Sequence, residues 1–185
     1  MTSAGKIVDK TLIDDAMLAL IETRLGRPPR GLREVAVFSN EGLPSVIRVG
    51  SVVEDKPFPT LFWLIDPALN LRIDRDEATG CIAAFQQRID ADQTLQDAMK
   101  RDHQRHIQLR EFHLGRGERE LLEDRGQWEA LSKRGIGGIA DFTRIRCLHT
   151  WYASHLVEAN TVGTMLEAHW AGEDHGAARD QVHFP

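Results

Sequence analysis

The stretch RIRCLHTWYASHL, residues 144–156, sets Cys147, His149 and His155 close together. Thiol and imidazole at short range are metal ligands, and an imidazole also shuttles protons near neutrality. Read as a helix, Ile145, Leu148, His149, Tyr152 and Leu156 make one stripe, which turns His149 toward the core or a pocket beneath it. Cys147, Trp151, Ser154 and His155 fall on an adjoining side. On an ideal helix Cys147 and His149 are about 200° apart, so one face does not offer both to one ion. No HExxH or paired CxxC spacing argues otherwise, and the expectation is no metal. Two readings stay open: Cys147 and His149 as working groups, or a buried cysteine acting as a small hydrophobe beside a hydrogen-bonded histidine.

A second constellation is KRDHQRHIQLREFH, where His103, His106 or Ile107, and Arg110 share a helical face with Asp102 beside them. Imidazoles three apart can meet on one divalent metal or phosphate, and the same pattern describes a solvated, charge-laced helix. A third is TRLGRPPRGLRE, with Arg24, Arg27, Arg30 and Arg33 in a proline-stiffened segment. Guanidinium groups so placed could clamp phosphate, although Arg24 and Arg27 are also explained by the negative end of a helix dipole. GIGGI, residues 135–139, has neither GxGxxG nor the lysine of a phosphate loop. It reads as a backbone that turns tightly or lets another segment approach. NTVG, residues 160–163, reads as a helix C-terminal cap. Neither a Ser-His-Asp order nor a nucleophile elbow is present.

The elements that must hold these groups follow from hydrophobic spacing. Leu12, Ile13, Ala16, Met17, Leu20, Ile21 and Leu25 recur at three and four, an amphipathic helix stopped by Gly26, Pro28 and Pro29. REVAVFSNEGLPSVIRVGSVV reads as two strands around a turn, and TLFWLI as a buried strand after Pro57 and Pro59. From Ala68 to about Leu122 the pattern is helical. RELLEDRGQWEALSKRG reads as a shorter helix closed by Gly135, and DFTRIRCLHTWYASHLVEAN as a final long one. The expectation is an α+β single domain, a small antiparallel sheet packed against several helices. The N-terminal amphipathic helix takes residues 1–26, the main domain 27–170, and a polar, loosely ordered tail 171–185.

Hydrophobic content of 42%, charged content of 28% and a net charge of −5 suit a globular protein and argue against a nucleic-acid partner. With no signal peptide, no membrane-spanning run and two cysteines, Cys81 and Cys147, the expectation is a cytoplasmic protein with free thiols.

Taken together, LGRPPRG, PFPTLFWL, GIGGI and RCLHTWYASHL followed by NTVG resemble the bacterial family known as domain of unknown function 501, from about Leu25 to Gly163. The resemblance implies no established activity. It implies genes often placed beside a septum-formation initiator and an exopolyphosphatase. Where relatives carry Cys-x-Cys before a Gly-x-Pro turn, this chain has Ser39, Asn40 and Glu41. Asp66 stands for another cysteine, Trp151 for a second histidine, and His106 for a tyrosine. Cys147 and His149 match. If relatives bind metal through thiolates, the oxygen donors Glu41 and Asp66 would favour harder ions here.

Three functions fit these residues. The first is binding of an anionic or phosphorylated small molecule by Arg27, Arg30, His103, Arg110 and His149. The second is a metal- or acid/base-dependent enzyme on phosphoesters, with His149, His103 and Cys147 as candidate catalytic groups. The third is an interaction module, or a homo-oligomer, using TLFWLI and the first helix. The sequence names no cofactor.

Overall fold

The computed structural model describes residues 13–180, with 173–180 as backbone only. Eight helices surround a small antiparallel sheet among the described residues, the α+β single-domain arrangement that the hydrophobic pattern predicts. Helix α1 (Asp15–Leu25) starts on Asp14, whose carboxylate accepts from the Met17 N–H, and stops at Gly26, which takes the left-handed conformation. Leu12, expected at the start of its apolar stripe, lies outside the described residues.

Strands β1 (Leu32–Phe38), β2 (Pro44–Val49) and β5 (Phe62–Leu64) form the sheet in the order β1-β2-β5, with β2 central. A small hairpin, β3 (Val52–Val53) with β4 (Lys56–Pro57), lies between them in sequence. Pro57 sits in this two-stranded hairpin, where a missing ladder donor is tolerated. The unbroken apolar run TLFWLI is explained by burial on both faces. Phe62 and Leu64 join the main core, whereas Trp63 and Ile65 face a second core that holds Ile21 and Ile47, with Met17 and Leu25 packed against it. Helix α1 therefore covers one face of the sheet.

The remaining helices are α2 (Pro67–Ala78), α3 (Cys81–Asp90), α4 (Gln93–His113), α5 (Arg116–Asp124), α6 (Trp128–Ser132), α7 (Leu148–Val157) and α8 (Thr161–Asp180), of which α2, α3, α4, α7 and α8 build the main core on the other face. The main core gathers Ile73, Phe85, Ile89, Met99, Leu148, Trp151 and Leu166 from them. Trp151 is fully buried, so its truncation would cost about 3–5 kcal/mol by the usual cavity and transfer terms.

Four elements differ from the sequence expectation. RELLEDRGQWEALSKRG is two helices, because Gly126 adopts φ 65° between α5 and α6. DFTRIRCLHTWYASHLVEAN is helical only from Leu148; residues 140–147 are turns and extended chain. NTVG begins a helix: Asn160 Oδ1 accepts from the Gly163 N–H at 2.8 Å at the start of α8. Helix α8 then continues past Trp170 to Asp180, into the segment expected to be a loose tail.

Candidate functional site

The polar groups singled out in the sequence on α4 and around α7 separate into a buried set and a half-buried set. His103 is fully buried on α4; its Nδ1 accepts from the Ile136 N–H at 2.9 Å, which places the proton of the neutral ring on Nε2. The ring stacks on Phe142 at 4.6 Å and meets the Trp151 ring edge-on at 4.8 Å. His106, also buried, contacts the Ser154 hydroxyl through Nδ1 at 3.2 Å. Arg110 is 1% exposed and donates to the carbonyls of Leu131 at 2.9 Å and Arg134 at 2.6 Å. Burial pushes the pKa values of His103 and His106 down to about 4 and about 3, and that of Arg110 down to about 10.

His103 Nδ1 and the Arg110 Nη atoms thus serve the chain around GIGGI, whose middle residues form a short 3-10 turn (Ile136–Gly138), while His103 Nε2 and Arg110 Nε are buried without a hydrogen-bond partner among the described residues. The glycines there serve close approach. A Cβ on Gly135 would stand 2.2 Å from His103 Nδ1, and one on Gly137, where φ is 65°, would stand 2.8 Å from Thr150 Oγ1. No phosphate cradle is needed to explain the motif. His155 is likewise occupied: its Nδ1 accepts from the Asn160 N–H at 3.0 Å, and Nε2 lies 3.3 Å from Glu167. Asp66 accepts from the Ala68 and Leu69 N–H groups and so caps α2, with Pro67 in the first turn. Glu41 sits exposed at the tip of the β1–β2 turn.

The half-buried set centres on His149. Cys147 is the extended residue just before α7, with φ −154° and ψ 122°, so the helical separation of Cys147 and His149 does not apply. Its Sγ lies 3.7 Å from His149 Nδ1. A third group arrives from α2: Glu77 Oε1 is 3.4 Å from the same Nδ1 and accepts from the Leu148 N–H at 2.6 Å. Asp74, one turn earlier on α2, approaches the far side of the ring, with Oδ1 at 3.3 Å from Nε2. The contact with Cys147, then the charges on Cys147, Glu77 and Asp74, hold His149 up to about 9 against the opposing effect of burial. Ligand atoms of Glu77, Cys147 and His149 all fall within 4.8 Å of one another, the one such trio among the described residues.

His149 alone of this trio also lines a cleft. About 200 Å³ in volume, it is lined by Leu25, Thr60, Phe62, Trp63, Leu64, His149 and Thr150. It lies where β5, an outer strand of the sheet, passes between the end of α1 and the start of α7. Arg27, in the turn after α1, lays its guanidinium over the Trp63 ring at 4.7 Å from the centroid. Arg30 is exposed and pairs with Glu54 at 2.9 Å, Arg33 pairs with Glu118 at 2.6 Å, and Arg24 donates to the Pro44 carbonyl. The arginine group is therefore dispersed, and only Arg27 reaches a residue of the cleft.

Cys147 and His149 are brought together as candidate groups, whereas His103 and Arg110 are not brought to them. Glu77 and Asp74 carry no local motif; their only sequence signal is an acidic pair three apart on a predicted helix. An α+β domain whose thiol, imidazole and carboxylates meet at a helix start is the class this geometry defines. The chain belongs to the family described as protein of unknown function DUF501, whose model matches residues 35–168. That span contains Asp74, Glu77, Cys147 and His149, and leaves Arg27 outside it. No curated protein and no solved structure matches the chain. None of the described helices is long and apolar enough to cross a membrane.

Proposed function

We propose that the protein binds a small anionic molecule, bearing a phosphate or carboxylate, in the cleft between Arg27 and His149. The observation that carries this reading is the stacking of Arg27 on Trp63. A guanidinium lying on an aromatic face keeps its in-plane N–H edge free for bidentate contact with an anion. Among the described residues Arg27 has no carboxylate partner, in contrast to Arg30 and Arg33. Leu25, Phe62 and Leu64 supply apolar walls, Thr60 and Thr150 supply hydroxyls, and the volume, below that of usual ligand pockets, suits only a small molecule.

The test is titration of the protein with inorganic phosphate, phenyl phosphate and benzoate, read by the shift of the Trp63 indole N–H in NMR spectra. At least one of the three should bind. Arg27→Ala should weaken that binding tenfold or more, and Arg30→Ala should leave it unchanged. Equal affinity in wild type and Arg27→Ala would remove the reading. The preference between phosphate and carboxylate then identifies the anion.

A second reading, acid/base or metal-dependent chemistry on a phosphoester, is favoured by the Cys147–His149 approach of 3.7 Å at the cleft margin. Turnover of phenyl phosphate that disappears in His149→Ala would select it.

A further inference from the structure

We infer that Glu77, Cys147 and His149 bind a borderline transition-metal ion of the zinc class, with one coordination position left toward the cleft. Metal–ligand lengths of about 2.3 Å to thiolate and about 2.0–2.1 Å to imidazole and carboxylate require tetrahedron edges of about 3.6 Å from sulfur to nitrogen and about 3.3 Å from nitrogen to oxygen. The protein presents 3.7 Å from Cys147 Sγ to His149 Nδ1, and 3.4 Å from that nitrogen to Glu77 Oε1. Both edges share Nδ1, as one vertex of a single coordination sphere demands.

The other ring nitrogen supplies independent support. A ligating histidine ordinarily donates its second N–H to an oxygen acceptor, which fixes the tautomer and the ring plane. Here Nε2 faces Asp74 Oδ1 at 3.3 Å. The Glu77 carboxylate, although one oxygen accepts from the Leu148 N–H, retains lone pairs for a metal. Thiolate with imidazole selects against magnesium and calcium, which prefer all-oxygen shells.

Three protein ligands, rather than four, is the arrangement of zinc sites that keep an exchangeable position. His149 lines the cleft, so a water or the ligand's anionic group would take that position. Binding displaces two protons to solvent, one from Cys147 Sγ and one from His149 Nδ1, as the metal–sulfur and metal–nitrogen bonds form. The metal site stands on its own distances; only the role of its open position rests on the anion reading above.

The experiment is titration of the chelator-washed, reduced full chain with Co(II), followed by the thiolate-to-cobalt charge-transfer band and by competition with Zn(II). One equivalent should bind with that band, and Zn(II) should displace it. Cys147→Ser should abolish the band while circular dichroism stays native, and Cys81→Ala should keep it. Glu77→Gln and Asp74→Asn should weaken binding by about 10–100-fold. Absence of the band in folded wild-type protein, or cobalt affinity unchanged from wild type in Cys147→Ser and His149→Ala, would overturn the inference. Phenyl phosphate binding, repeated with and without metal, separates the two readings. Anion binding without cobalt binding removes only the metal, and cobalt binding without anion binding removes only the ligand.

Discussion

Glu77 on α2 accepts a hydrogen bond from the Leu148 N–H at 2.6 Å, so the first turn of α7 is capped by a carboxylate from a different helix. Cys147, the residue at the capping position, makes no side-chain cap of its own. The bond places a negative charge at the positive end of α7 and fixes the extended backbone that lets Cys147 turn back to His149.

Glu77→Ala should therefore destabilise the protein by about 1–2 kcal/mol, the ordinary cost of a lost N-terminal cap, even with chelator present. Glu77→Gln keeps an acceptor oxygen and should lose less. Urea unfolding in chelator checks both, and equal stability of wild type and Glu77→Ala would show that the cap contributes nothing.

Arg110 is the interior counterpart of that cap. Its guanidinium serves the carbonyls of Leu131 and Arg134 with almost no solvent contact. Arg110→Met fills similar volume and takes the donor from the Arg134 carbonyl, at about 1–3 kcal/mol if it stays dry, whereas the Leu131 carbonyl keeps the Arg134 N–H at 3.0 Å. Arg110→Lys should rescue little, since one ammonium does not reproduce the planar fork. If Arg110→Met unfolds at the wild-type urea midpoint, the clamp is not a stabilising feature.

These two contacts explain what could be read from the sequence and what could not. Helices α1, α3 and α4 were legible because the apolar residues of each recur at three and four against a single core, the second core for α1 and the main core for α3 and α4. The strand β5 was legible because a two-sided apolar run with branched and aromatic residues has few other uses. The start of α7 was not, because the cap that defines it comes from Glu77, far away in the chain. Helical periodicity carried back through Cys147 then put thiol and imidazole on different faces. The start of α8 was misread for a related reason. Asn and Gly serve either helix end, and the choice here is made by Asp102 on α4, which accepts from the Thr161 N–H at 2.8 Å, and by His155 packed against Gly163. Spacing located His103 and Arg110 on one face, but it does not distinguish a ligand face from a buried face that serves a loop.

Acid should destabilise the fold through His103 and His106. Both are held neutral by burial, with pKa values of about 4 and about 3 against an ordinary 6.5. Below about pH 6 the unfolded chain takes up protons that the folded chain refuses, so stability falls as pH falls, by up to about 1.4 kcal/mol per unit for each histidine. The loss continues until the folded values are reached. His149, held up to about 9, is already protonated in the folded chain, whereas its unfolded form completes its protonation only between about pH 7 and 6, so it offsets a small part of that loss near neutrality. Urea unfolding from pH 7 to pH 5 should show this decline, and a flat profile would mean that the two rings are not kept neutral.

Two of the glycines of α8, Gly163 and Gly172, should respond to alanine with opposite signs. Both are inside a helix, where glycine costs about 0.5–1 kcal/mol relative to alanine through the backbone entropy it loses. At Gly172 a Cβ would meet nothing within 4 Å, so Gly172→Ala should gain about that much. At Gly163 a Cβ would stand 2.1 Å from the His155 ring, which is itself held by the Asn160 N–H and packed on Tyr152 at 5.7 Å. Either the ring or the helix must move, so Gly163→Ala should lose stability despite its better propensity, by about 1–3 kcal/mol as for other overpacked sites. His155→Ala removes the obstructing ring, and in that background Gly163→Ala should recover most of its loss. Urea midpoints of the two single variants and the double variant decide it: additive effects, with no recovery, would show that the close approach of His155 to α8 is not what requires glycine at 163.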